Sequence, residues 1–216
     1  MLKLSLGSAS GPLRILCLGA HSDDIEIGCG GTLLRILAEH SNVHVDWVVF
    51  SANRVRKTEA TKSAKLFLNR AKSKRVTVHS YRDGFFPFQG AKIKTSFEGL
   101  KSANPDLIFT HYRNDLHQDH RLINQLAWNT FRNHMILEYE IPKYDGDLGS
   151  PNVFFAIDEP ICRAKAAILD QAFATQRKKH WFSEGTFLAL MRIRGVESCS
   201  PTRYAEAFYG RKVTLA

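Results

Sequence analysis

Nothing in the sequence approaches the ~20 consecutive apolar residues that a membrane-spanning helix needs. The longest apolar segment, around Leu13 to Ala20, stops far short, so no membrane span is expected. The first ten residues, MLKLSLGSAS, contain no unbroken apolar stretch ahead of a small-residue cleavage site, and no export signal is read from them. Cysteine is scarce and scattered. Cys17, Cys29, Cys162 and Cys199 form no CxxC pair, which argues against a cysteine metal site and for buried, reduced thiols. These absences together give the cytoplasm as the expected compartment. Internal repeats, low-complexity tracts and linker-like stretches are missing as well, so residues 1–216 are expected to form one domain.

What is present is ordinary globular material, 44% hydrophobic and 24% charged, which excludes a disordered or fibrous chain. The charge is lopsided: 30 Lys and Arg against 21 Asp and Glu leave a formal +9. Such an excess favours anionic partners. The basic residues fall in short groups, Arg54 to Lys57, Lys72 to Arg75 and Arg177 to His180, as on solvated helix ends. A nucleic-acid groove is therefore not expected, whereas an anionic or nucleotide-linked small substrate is compatible.

Leu13 to Gly19 (LRILCLG) is a continuous apolar run between a Gly-Pro and a polar cluster, the mark of a strand covered on both faces. A glycine-rich turn and then a helix over Gly30 to Glu39 follow in the expected order. Strands are expected at Val43 to Phe50, Arg75 to Ser80, Asp106 to Thr110, Ile136 to Ile141 and Asn152 to Ile157. Helices are expected over Arg56 to Arg70, Leu122 to Phe131 and Pro160 to about Gln176, with a short last one at Ala205 to Phe208. Alternation of this kind predicts an α/β fold, a Rossmann-like three-layer sandwich with a mainly parallel sheet.

In such a sheet, sites form beyond the carboxyl ends of the strands. Two polar clusters fall there: His21-Ser22-Asp23-Asp24 after the first strand, and HYRNDLHQDH, His111 to His120, after the strand ending at Thr110. A catalytic zinc site takes three imidazole or carboxylate ligands and keeps a fourth position open. The spacing of His21 and Asp24 lets one turn aim both at an ion and leaves Asp23 free to take a proton. His117 and His120 stand three apart at a helix start, where one histidine reaches a metal and the other a substrate. Asp119 is a candidate to accept the second ring N–H of such a histidine. The Gly28-Cys29-Gly30-Gly31 segment lacks the GxGxxG spacing, and acidic side chains precede it, so a dinucleotide site is not read there.

GAHSDDIEIGCGGT resembles the AHPDD(x)ExGxGGT motif of the LmbE-like, or PIG-L, N-acetylglucosaminyl deacetylases, and HYRNDLHQDHR resembles their second motif, which ends in HxDH. With RKTEA and YRDG between them, the likeness covers roughly the first 135 residues. The resemblance implies a divalent ion, zinc in the family, held by His21, Asp24 and His120; iron(II), cobalt and nickel suit the same donors. It implies Asp23 as general base, His117 as partner to the developing oxyanion or leaving amine, and Arg56 and Asp83 as substrate contacts.

Two departures stand out. Ser22 replaces the usual proline, and Asp115 stands where some members carry a tyrosine, which shifts oxyanion stabilisation toward the metal and His117, or toward a residue such as Tyr112. The implied reaction is hydrolysis of the amide of an N-acylated amino sugar, with acetyl as the acyl group, by attack of a metal-bound water. Oligomerisation is left open. The rivals are an amidase for non-sugar acyl amides and a non-catalytic, metal-stabilised module binding nucleotides or nucleic acid. Asp23 separates enzyme from module, because a structural metal site has no use for an uncoordinated carboxylate beside it.

Overall fold

The computed structural model describes residues 11–213; the first ten residues, on which the export-signal reading rests, lie outside the described residues. Along the chain run β1 (Leu13–Gly19), α1 (Asp24–Glu39), β2 (Val43–Val49), α2 (Arg54–Phe67), β3 (Ser73–Val78), α3 (Gly90–Leu100), β4 (Leu107–His111) and α4 (Gln118–Thr130). There follow β5 (Met135–Tyr139), β6 (Val153–Ile157), α5 (Glu159–Ala172), α6 (Glu184–Glu197) and β7 (Tyr204–Gly210). The strands form one seven-stranded sheet in the order β3-β2-β1-β4-β5-β7-β6. The first five strands pair in parallel, and β7 runs antiparallel to both β5 and β6. This is the expected α/β sandwich with a mainly parallel sheet.

The apolar run of β1 is continuous because both of its faces are covered. Ile15 and Cys17 join a core with Leu33 of α1, Ala64 of α2, Leu169 of α5 and Phe187 of α6. Leu16 and Leu18 point the other way, against Ile93 and Phe97 of α3 and Ile123 and Ala127 of α4. The sheet order reverses at β1, with β2 on one side and β4 on the other, so the loops leaving β1 and β4 separate to opposite faces. The crevice between them is the expected position for a site.

Four elements depart from expectation. Helix α3 (Gly90–Leu100) forms where no helix is expected, with Ile93 and Phe97 entering the core. Gly28 to Gly31 lie inside α1, which begins at Asp24, rather than in a turn ahead of a helix. Close packing explains the glycines: a Cβ on Gly28 would overlap the Tyr139 ring, and one on Gly31 would come 2.9 Å from Glu206 Oε1. Ala205 to Phe208 form the middle of β7 instead of a helix, because β5 and β6 supply backbone partners on either side. Glu184–Glu197, where no helix is expected, is α6, opened by Ser183, whose side chain accepts from the Thr186 N–H. No helix among the described residues is long and apolar enough to cross a membrane.

Candidate active site

The loop after β1 and the first turn of α4 meet in the crevice. The His21 N–H donates to Asp24 Oδ2 (2.6 Å), which folds the tetrapeptide so that both side chains face inward. His117 caps α4, its Nδ1 accepting from the Asp119 N–H, and His120 follows one turn later. His21 Nδ1 lies 3.1 Å from His120 Nε2 and 3.4 Å from Asp24 Oδ2, and His120 Nε2 lies 3.6 Å from that same oxygen. A tetrahedral ion with bonds near 2.1 Å keeps its ligands about 3.4 Å apart, so this triangle has the right size for one small divalent ion. The donor set, two imidazoles and one carboxylate, suits zinc and its neighbours.

Three further groups with metal-holding geometry share residues with the triangle: His21 with His117 and His120, Asp24 with His111 and His120, and His21 with Asp83 and Asp119. His111 was not among the residues singled out from the sequence, although it opens the HYRNDLHQDH segment as the last residue of β4. It is fully buried, its Nε2 accepts from the Ala20 N–H (2.9 Å) and lies 3.2 Å from Asp24 Oδ2, and its ring stacks on His120 at 3.9 Å. It lies behind the triangle, between Asp24 and His120.

Asp115, the departure from the family tyrosine, accepts from His120 Nδ1 (2.8 Å) with one oxygen and from the His117 N–H (2.8 Å) with the other. Lys143 Nζ stands 3.1 Å from it. Burial pushes the Asp115 carboxyl up, but the His120 hydrogen bond and the surrounding positive charge outweigh it and hold the group below the usual carboxylate range. His120 itself is pushed down to about 3 by burial and by His111, so its Nε2 carries a lone pair while Nδ1–H faces Asp115. Asp119 is buried and does different work: it accepts from the Gly84 N–H (2.7 Å) and the Phe86 N–H (3.1 Å) and approaches His21 Nε2 to 3.4 Å.

Asp23 is buried beside the triangle. Its Oδ1 accepts from Arg56 Nη2 (2.7 Å), and its Oδ2 has no hydrogen-bond partner among the described residues. Burial raises its pKa, opposed by the Arg56 charge and reinforced by Asp24. Arg56, expected at the substrate, is fastened from behind: its Nη1 donates to Glu59 Oε2 (2.8 Å) and to Thr175 Oγ1 (3.2 Å). Asp83 has an exposed side chain, 3.0 Å from His21 Nε2. Burial lowers the His21 imidazole, but Asp24, Asp119 and Asp83 outweigh it and leave it well above its ordinary value. Burial and His21 push His117 below its own. Tyr112 stacks on Tyr209 at 3.7 Å, with its hydroxyl accepting from the Asn114 amide.

The GlcNAc-PI de-N-acetylase (PIG-L) family matches residues 16–131, just over half of the chain and inclusive of both crevice loops. The uncharacterized deacetylase YaiS of Escherichia coli (strain K12) is 27% identical over 184 residues, covering 76% of this chain and 92% of that protein. Among solved structures, the N,N'-diacetylchitobiose deacetylase of Pyrococcus horikoshii superposes with a TM-score of 0.67 at 22% identity, over 92% of this chain and 83% of that one. GalB, the 4-carboxy-2-hydroxymuconate hydratase of Pseudomonas putida KT2440, also reaches 0.67, at 17% identity over 94% of this chain and 99% of its own. One fold thus carries different reactions, and the chemistry has to be read from the site.

Proposed function

Because this chain belongs to the GlcNAc-PI de-N-acetylase (PIG-L) family of deacetylases, we propose that it is a metal-dependent hydrolase that frees the amine of an N-acylated amino sugar. The observation that carries the reading is the triangle of His21, Asp24 and His120 with Asp23 beside it and outside it. When bound there, a divalent ion, zinc by our reading, supplies a polarised carbonyl and a water acidic enough to attack near neutral pH.

The protein's own residues do the rest. Asp23 Oδ2, free of other partners, takes the proton of the attacking water, while Arg56 holds Oδ1, fixes the carboxylate plane and counters the burial that would otherwise neutralise it. His117, below its ordinary pKa, is neutral near pH 7 and offers a ring nitrogen toward the oxyanion or leaving amine. Asp23 returns its proton to the departing nitrogen, so that amide and water become a carboxylate, acetate in the simplest case, and a free amine. Burial and His111 keep His120 neutral, and Asp115, by accepting its Nδ1–H, holds it in one tautomer. Asp83, exposed beside His21, and Arg56 are read as substrate contacts for sugar hydroxyls or attached groups, and the formal +9 of the chain is compatible with an anionic or nucleotide-linked substrate.

We read residues 1–216 as one deacetylase domain working in the cytoplasm, a setting supported by four unpaired cysteines, three of them buried. The test is product analysis with zinc-loaded protein. Acetate and free amino sugar should appear in equal amounts from N-acetylated sugars, and faster than acetate from N-acetylated amino acids. The reverse preference would transfer the reading to a non-sugar amidase, and no hydrolysis of either would remove it.

A further inference from the structure

The segment after β3 runs Arg82-Asp83-Gly84-Phe85-Phe86-Pro87-Phe88 and borders the crevice. It is firmly held. Asp119 accepts from the Gly84 and Phe86 N–H groups, the Gln118 side chain donates to the Gly84 carbonyl, and Asp83 Oδ1 lies 3.0 Å from His21 Nε2. Of the three phenylalanines, only Phe86 enters the core, fully buried and stacked on His21 at 6.1 Å. Phe85 and Phe88 face solvent, 38% and 80% exposed, with ring centroids 6.0 Å apart and planes inclined by 53°. The Arg82 guanidinium lies 3.6 Å from the Phe85 ring centroid. Leu116, 58% exposed, immediately precedes His117 on the facing loop.

Single exposed apolar side chains are ordinary on a protein surface. Here two exposed aromatic rings lie 6.0 Å apart on a segment whose backbone is bonded to Asp119, and Asp119 approaches His21. We propose that Phe85, Phe88 and Arg82 form a subsite for a flat ring attached to the substrate sugar, on the side away from the amide. This rests on the sugar deacetylase reading above. Exposed aromatic faces stack flat rings with little regard to their identity, since every aryl group and nucleobase offers a π-face. A planar, weakly hydrated guanidinium beside them adds a partner for a phosphate in the linkage.

The experiment is calorimetric titration of zinc-loaded protein with N-acetylglucosamine, its 4-nitrophenyl glycoside and its uridine diphosphate conjugate, alongside turnover of each. Both ring-bearing ligands should bind about tenfold or more tightly than the plain sugar, the usual effect of stacking on one aromatic side chain. Phe85→Ala and Phe88→Ala should erase that gain and leave plain-sugar affinity and kcat unchanged, and Phe88→Trp should keep it. Arg82→Gln should weaken the diphosphate conjugate alone, and the two conjugates distinguish an aryl aglycone from a nucleotide. Equal affinities for all three ligands, or truncations that weaken all three alike, would overturn the subsite. So would sedimentation showing that the rings cover a second copy of the chain, with Phe88→Ala dispersing a dimer while ligand affinities hold. Ring-dependent binding without any turnover would instead remove the deacetylase reading and leave the subsite standing.

Discussion

Asp115 bonds through both carboxylate oxygens to two of the three histidines of the second motif, the His120 ring and the His117 backbone, and draws in Lys143 behind them. A residue that reads from the sequence as a lost tyrosine is thus, in three dimensions, the group that orients His120. Asp119, the acid expected to accept the second ring N–H of a metal or catalytic histidine, fastens the Gly84 to Phe86 turn and lies 3.4 Å from His21 Nε2. Asp115→Asn should therefore weaken metal binding by about 10- to 100-fold, the usual effect of removing a carboxylate behind a ligating histidine. Competition against a chelator of known affinity measures this, and an unchanged Kd would contradict the role. The two clusters that hold His21, Asp23 and Asp24, and His117 and His120, were legible because each is local in the chain and follows an apolar strand. The placement of His111 was not, since its contacts to Ala20 and Asp24 cross from β4 to the loop after β1. Likewise the Asp23 to Arg56 pairing depends on how α2 is seated beside α1, and no local spacing reports it.

Helix α1 carries Asp24 at its start and is gripped in its middle by a buried ion pair. Glu206 of β7 accepts from the N–H groups of Gly31 (2.8 Å) and Thr32 (2.7 Å). Lys165 of α5 donates to Glu206 and to the Ile27 carbonyl, both at 2.6 Å. The signs match the local backbone dipoles, carboxylate on N–H groups and ammonium on a carbonyl. Lys165→Met leaves Glu206 buried without its counter-charge and should cost about 3–5 kcal/mol. Adding Glu206→Gln should recover part of that loss. Urea unfolding of the two variants checks it, and a double variant less stable than Lys165→Met would argue against the pair. The helix itself was legible, but its glycines look like a turn until Tyr139 and Glu206 are placed against them. β7 was misread for a related reason: alanines favour helix locally, whereas two neighbouring strands decide the outcome here.

For the molecule as a whole, the parallel sheet was readable from apolar runs separated by helical stretches, because strands buried on both faces keep no polar alternation. The positions of the two loops then followed from the strand order. Metal loading should be linked to protons across this assembly. Asp24, Asp119 and Asp83 hold His21 well above its ordinary pKa, and a ligating imidazole must be neutral, so ion and proton should compete for it. Binding should release protons, and affinity should rise with pH until His21 titrates. Calorimetry in two buffers of different ionisation heat counts the release, and none at pH 7 would count against His21 as a ligand.

The most direct test separates the carboxylate that binds the ion from the one beside it. Metal content and kcat are measured together for wild type, Asp24→Ala, His120→Ala and Asp23→Asn after identical zinc loading. One zinc per chain is expected in wild type and in Asp23→Asn, with kcat on an N-acetylated sugar lower in the latter by roughly 10²-fold or more, as for loss of a positioned general base. Asp24→Ala and His120→Ala should lose the ion. Full zinc in those two variants would contradict the ligand set, and full kcat in zinc-loaded Asp23→Asn would contradict the base.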